Sequence, residues 1–182
     1  MAFWRSSVSP YSGGTVPDLH RSSLTARRLE RESSIGAVDA LALDLDGVLT
    51  DTRPLWRDWL EDAARRARVD LAELPDDRTA AAAVLDERLG DWRPLLERFA
   101  ADRAPIHFRP RADVGASLRR LQAAGVRIGV FSDAPRELAE LAVAHAGATR
   151  RVAVVGTLGE VQAALGAGAV VVRSRDELAS LR

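Results

Sequence analysis

Residues 38–43, Val-Asp-Ala-Leu-Ala-Leu, are apolar apart from Asp39 and run directly into Asp44-Leu45-Asp46-Gly47. An apolar run of strand length with no polar alternation has no face to offer water, so it belongs inside a sheet covered on both sides. Its abrupt polar end then places two carboxylates at a strand terminus. Side chains two apart leave a strand on the same side, so Asp44 and Asp46 can face one small volume. Two carboxylates that close repel unless a cation or a proton intervenes. Gly47 lets the backbone turn sharply away and leaves room for a ligand.

The rest of the chain alternates. Helical patterns are expected over residues 55–68, 78–89 and 92–101, the first with an apolar stripe of Trp56, Trp59, Leu60, Ala63 and Ala67. Arg109-Pro110 marks a reversal. A helix over 114–124 closed by Gly125 leads to a strand at 126–131, and a helix from Pro135 to Ala146 is closed by Gly147. Strand 151–155, helix 158–165, strand 169–173 and a short helix complete the pattern. Strands and helices in this rhythm predict a doubly wound α/β fold with a parallel sheet. The mostly helical block interrupts the rhythm after the first strand and reads as an insertion.

Composition narrows the chemistry. The 182-residue chain has no cysteine, which excludes disulfides and thiolate chemistry. Its 26 basic residues are all arginine, so no mechanism can use a lysine, and they balance 26 acidic residues. No net field draws the chain to nucleic acid or anionic lipid. No apolar run reaches the ~20 residues of a membrane helix, and the first residues lack a secretory signal's apolar centre. A cytoplasmic location is the expectation. Residues 1–35, rich in Ser and Arg, are expected to be a mobile tail.

The run Asp44 to Asp51 resembles the first motif of the haloacid dehalogenase-like (HAD) superfamily, Asp-x-Asp-Gly-x-Leu-x-Asp after a hydrophobic strand. Glycosyltransferases use an Asp-x-Asp for manganese, but no sugar or nucleotide site accompanies it here. Val130-Phe131-Ser132-Asp133 resembles the second motif, a strand ending in a phosphate-binding hydroxyl; Ser132 or Asp133 could instead cap the following helix.

The resemblance implies a Rossmann-like core (36–51 and 109–182) with a small helical cap (52–108). It implies Asp44 as nucleophile, Asp46 as general acid and base, and Gly47, Ser132 and Asp133 around the substrate. It also implies magnesium, Mg²⁺, on the Asp44 carboxylate and the Asp46 main-chain carbonyl. The second aspartate favours phosphatase over dehalogenase chemistry.

Two family features depart from the pattern. The third-motif lysine has no counterpart; Arg136, Arg150 and Arg151 read as solvated or helix-end charges. For the fourth motif, strand counting points to Ser174-Arg175-Asp176-Glu177. The residues favour Val155-Gly156-Thr157-Leu158-Gly159-Glu160, with Glu160 as the remaining metal acid, and that placement is preferred. The expected activity is Mg²⁺-dependent hydrolysis of a small phosphorylated metabolite, possible in weakened form. The alternative is an impaired descendant that binds a phosphorylated ligand or a partner protein. His20, His107 and His145 form no metal spacing. Trp56, Trp59 and Trp92 are expected to pack the cap, with Trp59 or Arg57 as minor candidates to face substrate.

Overall fold

A computed structural model describes residues 38–67 and 70–181. The expected tail lies outside the described residues. The order is β1 (Ala40–Asp44), a π-helical turn (Leu45–Leu49), α1 (Arg53–Ala67), a 3-10 turn (Leu71–Glu73), α2 (Arg78–Leu89), α3 (Arg93–His107), α4 (Ala112–Ala123), β2 (Arg127–Phe131), α5 (Arg136–His145), β3 (Val154–Gly156), α6 (Leu158–Leu165), β4 (Val170–Val172) and α7 (Arg175–Ser180). All strand pairs are parallel, in the order β3-β2-β1-β4.

Alternate residues of β1 explain the layers. Leu41 and Leu43 share a cluster with Ile128, Val130, Leu118 of α4, Leu138 of α5 and Leu178 of α7. Ala40 and Ala42 point the other way, against Val161 and Leu165 of α6. Gly129 is needed there, because a Cβ would stand 2.6 Å from a Val161 methyl and 2.9 Å from a Val154 methyl. The chain steps outward from β1 to β2 and β3, then returns past β1 to lay down β4. That reversal is a topological switch point at the carboxyl end of β1, the place where such sheets bind ligands. The fold is the expected α/β, HAD-like arrangement with a Rossmann-like core.

Helices α1, α2 and α3 fill the interval between β1 and α4. Trp56, Trp59 and Trp92 stack at their centre, with ring centroids 5.1, 6.0 and 5.0 Å apart. Trp59 is buried and Arg57 exposed. Helix α3 runs on to His107, six residues past the expected end at Ala101. Pro105 removes one helical N–H, yet Ala104 is fully buried and Phe108 N still donates to the Ala104 carbonyl at 2.7 Å. Packing of α3 on α1 and α5 outweighs the missing bond.

Candidate active site

Asp44 closes β1 and starts the π turn. Its Oδ1 accepts the amides of Asp46 at 3.0 Å and Gly47 at 3.2 Å, while Thr50 N closes the turn on the Leu45 carbonyl at 3.0 Å. Among the described residues no hydrogen bond reaches Oδ2. The absent Gly47 side chain makes room for protein, not for a ligand: a Cβ there would lie 2.0 Å from the Arg173 carbonyl oxygen. The residue that follows β4 fills that space. Gly47→Ala is expected to cost about 1–3 kcal/mol, read from the denaturant midpoint, because a backbone oxygen cannot swing aside as a side chain can.

Asp46 is more heavily engaged. Oδ1 accepts the backbone N–H of Thr52 at 2.7 Å and its hydroxyl at 2.6 Å. Oδ2 accepts Nη2 of Arg78, which also donates to Asp133 Oδ1, and Arg78 Nη1 donates to the Thr52 hydroxyl at 2.6 Å. Arg78 is 5% exposed and Thr52 is wholly buried. Burial, the largest influence, pushes the guanidinium pKa down. The hydrogen bond to Asp133 and the charge of Asp46 outweigh it, so the net shift is upward.

Arg78 is the residue that sequence reasoning missed. One signal was available: it is the first residue of α2, after the Asp77 cap, and a cation at a helix N-terminus opposes the dipole unless acids compensate it. Arg53, exposed at the start of α1, also stands near these acids but is held by Asp51 at 2.7 and 2.8 Å.

Ser132 and Asp133 follow β2 directly. Ser132 N donates to the Gly156 carbonyl at 3.0 Å, and its Oγ accepts Ala134 N at 3.1 Å. Neither side chain caps α5, whose cap residue Pro135 receives no side-chain bond. Asp133 instead turns toward Arg78. Burial acts upward on its carboxyl, but the Arg78 hydrogen bond and charge hold it below the usual range. A carboxyl lowered in this way contributes stability above the ordinary value of 3.8, lost as pH falls through the folded-state value. Between about pH 5 and pH 3 the wild type is therefore expected to lose more denaturant resistance than Asp133→Asn. Solvent at the half-exposed Asp133 keeps this difference small.

The preferred placement of the fourth motif falls on β3, one strand removed from β1. β3 pairs with β2, whereas the strand on the free side of β1 is β4. Glu160 is spent at the start of α6: its Oε2 accepts Thr157 N at 2.7 Å, and Oε1 pairs with Arg136 at 3.2 Å. The Thr157 amide and hydroxyl lower its pKa. The strand-counting alternative falls on β4, the strand that borders β1. Glu177 accepts Arg173 N at 2.7 Å, and both Asp176 and Glu177 are exposed at the start of α7. Arg136 donates to the Val155 carbonyl in β3 and Arg151 to the Gly147 carbonyl just past α5, both at 2.9 Å.

The donor set does not fit a resident Mg²⁺. Such an ion keeps several waters in a near-ideal octahedron and takes its charge balance from one or two carboxylates that no other cation holds. Here Asp44 offers, among the described residues, one uncommitted carboxylate oxygen beside the Asp46 main-chain carbonyl, both Asp46 carboxylate oxygens are taken, and a guanidinium is already bonded to Asp46. Among the described residues no three His, Asp or Glu side chains are grouped to hold a metal. His107 lies 3.1 Å from Asp58, and His145 is 6.2 Å, ring to ring, from Phe108; His20 lies outside the described residues. Two cavities of about 570 and 500 Å³ open on the surface, and neither is lined by Asp44 or Asp46. No described helix is long and apolar enough to cross a membrane.

Comparison with known proteins agrees with this architecture. The structure is similar to CbbY from Rhodobacter sphaeroides in complex with phosphate, with a TM-score of 0.52 at 14% identity over 66% of this chain. The chain spans 64% of that protein's length. It is also similar to L-2-haloacid dehalogenase from Xanthobacter autotrophicus with chloropropionic acid covalently bound, at 20% identity and a TM-score of 0.38, covering 68% of this chain and 58% of that one. No curated protein matches. Residues 38–164, more than half of the chain, match the haloacid dehalogenase-like hydrolase family, and with the parallel sheet and the aspartates ending β1 they make this chain a member of that family.

Proposed function

We propose that this chain is a phosphate-monoester hydrolase acting on a small phosphorylated metabolite, with residues 36–51 and 109–182 as the core and 52–108 as a helical cap. One observation carries the reading. The Asp44 carboxylate is anchored at Oδ1 by two amides, leaves Oδ2 uncommitted, and stands at the sheet's ligand-binding edge beside Asp46. In this reading Oδ2 attacks phosphorus, the ester P–O bond breaks, and the departing oxygen takes a proton from Asp46. Water then attacks the aspartyl-phosphate, Asp46 receives its proton, and the bond from phosphorus to Asp44 breaks to release inorganic phosphate.

To carry a proton, Asp46 must first exchange the Arg78 guanidinium for it. Ser132 can donate its hydroxyl to a phosphate oxygen, since among the described residues its Oγ only accepts, from Ala134 N. Asp133, once parted from Arg78, would border the leaving group. Although the family generally uses Mg²⁺, no step here runs through a metal, because the donors described above do not suit one.

Acid-quenching the protein with p-nitrophenyl phosphate tests the reading. The expected result is a phosphoryl group on the peptide containing Asp44, together with nitrophenol release. Equal release by wild type and Asp44→Asn, with no such adduct, overturns it. A second reading, a phosphate-binding descendant without turnover, is favoured by the occupation of both Asp46 oxygens. Calorimetric phosphate binding with no nitrophenol release would select it.

A further inference from the structure

The described acids at the end of β1 need positive charge, and the chain has no lysine to supply it. Asp46 is only 13% exposed at its side chain, and Asp133 reaches the same guanidinium from the end of β2. Burying a cation costs several kcal/mol unless it is paired, so an arginine 5% exposed is held there by its acids. Its planar fork meets both carboxylates and the buried Thr52 hydroxyl together, a geometry an ammonium could not copy. Arg53 cannot take over, since it is well exposed and bound to Asp51.

We propose that Arg78 is the resident cation of this site: delivered by α2, its guanidinium supplies the charge that Asp46 and Asp133 require, and the site takes no divalent metal. A second positive ion on Asp46 would face a guanidinium already bonded to Oδ2. Mg²⁺ on the Asp44 carboxylate and the Asp46 main-chain carbonyl would sit at a residue the guanidinium already neutralises, and like charges oppose each other there. The same placement makes Arg78 a positioning residue, because it holds the Asp46 carboxylate by direct contact.

The inference draws on the phosphatase reading only for that consequence for Asp46. Its test uses folded protein without substrate, so either can fail alone. Thermal midpoints are measured in MgCl₂ up to about 10 mM against NaCl of equal ionic strength, for wild type, Arg78→Met and Arg78→Lys. Wild type and Arg78→Lys are expected to be indifferent to Mg²⁺, because each keeps the charge. Arg78→Met is expected to melt several degrees lower and to regain about half of that loss in Mg²⁺. A merely structural role would give a loss of stability with no cation response.

Saturable Mg²⁺ stabilisation of the wild type overturns the proposal, as does an Arg78→Met protein blind to Mg²⁺. If Arg78→Met does not fold, the wild type alone decides. Mn²⁺ mixed with it at equal, about 0.1 mM, concentration is expected to keep its free-ion EPR signal, and loss of that signal to one bound ion per chain overturns the inference.

Discussion

Asn in place of Asp44 is expected to cut phosphate-ester turnover at least about a thousandfold, the scale on which loss of a covalent nucleophile acts. The thermal midpoint is expected to move by no more than about 3 °C. The two readouts separate because the two oxygens of Asp44 do different work. Oδ1 holds the amides of Asp46 and Gly47, and an asparagine carbonyl can accept the same bonds. Oδ2 would become an amide nitrogen, with no lone pair to give to phosphorus. Steady-state release of nitrophenol and calorimetric melting, run on the same samples, check both halves. Unchanged turnover would remove the nucleophile. A collapsed midpoint would show that the charge, not the geometry, stabilises the turn.

Trp92→Ala is expected to be the most destabilising single change in the helical insertion, by about 3–5 kcal/mol. For a chain of this length that lowers the melting midpoint by roughly 10 °C. The ring is completely buried, with centroids 6.0 Å from Trp56 and 5.0 Å from Trp59. Its indole N–H donates to Asp86 at 2.9 Å, and the Arg93 guanidinium lies 4.7 Å above it. Asp86 keeps its bond to Arg93 after truncation, so the cost comes from the emptied volume between the three helices. Ala81 and Leu85 of α2 belong to the same cluster. Loosening it also loosens the helix that carries Arg78, so the variant is expected to bind phosphate differently as well as melt earlier. Differential scanning calorimetry gives the first effect, and titration with phosphate gives the second.

How much of this could be read beforehand depends on the range over which each signal acts. The helix over 158–165 agrees with α6 residue for residue, because Thr157 and Glu160 form a complete capping box and Gly166 ends it. The start of α2 after Asp77 was equally local. The far end of α3 was not, because Pro105 is a breaker by local rules and is overruled by helices packed on both sides. Motif resemblance and strand counting disagree on the fourth motif for a related reason. Val154 to Ala164 look like the family's metal-binding segment, yet whether β3 pairs with β1 or β2 is not written in its residues.

The chain's own residues determined the alternation of strands and helices, the buried first strand, and the acids that end it. Apolar periodicity, caps and turn glycines act within a few residues of one another. The tertiary structure alone decided that Arg173 fills the space beside Gly47, that β4 borders β1, and that Arg78 reaches Asp46 and Asp133. Those last partners lie 32 and 55 positions away along the chain. A charge buried against partners so distant is selected by the packing of whole elements, which no local pattern encodes.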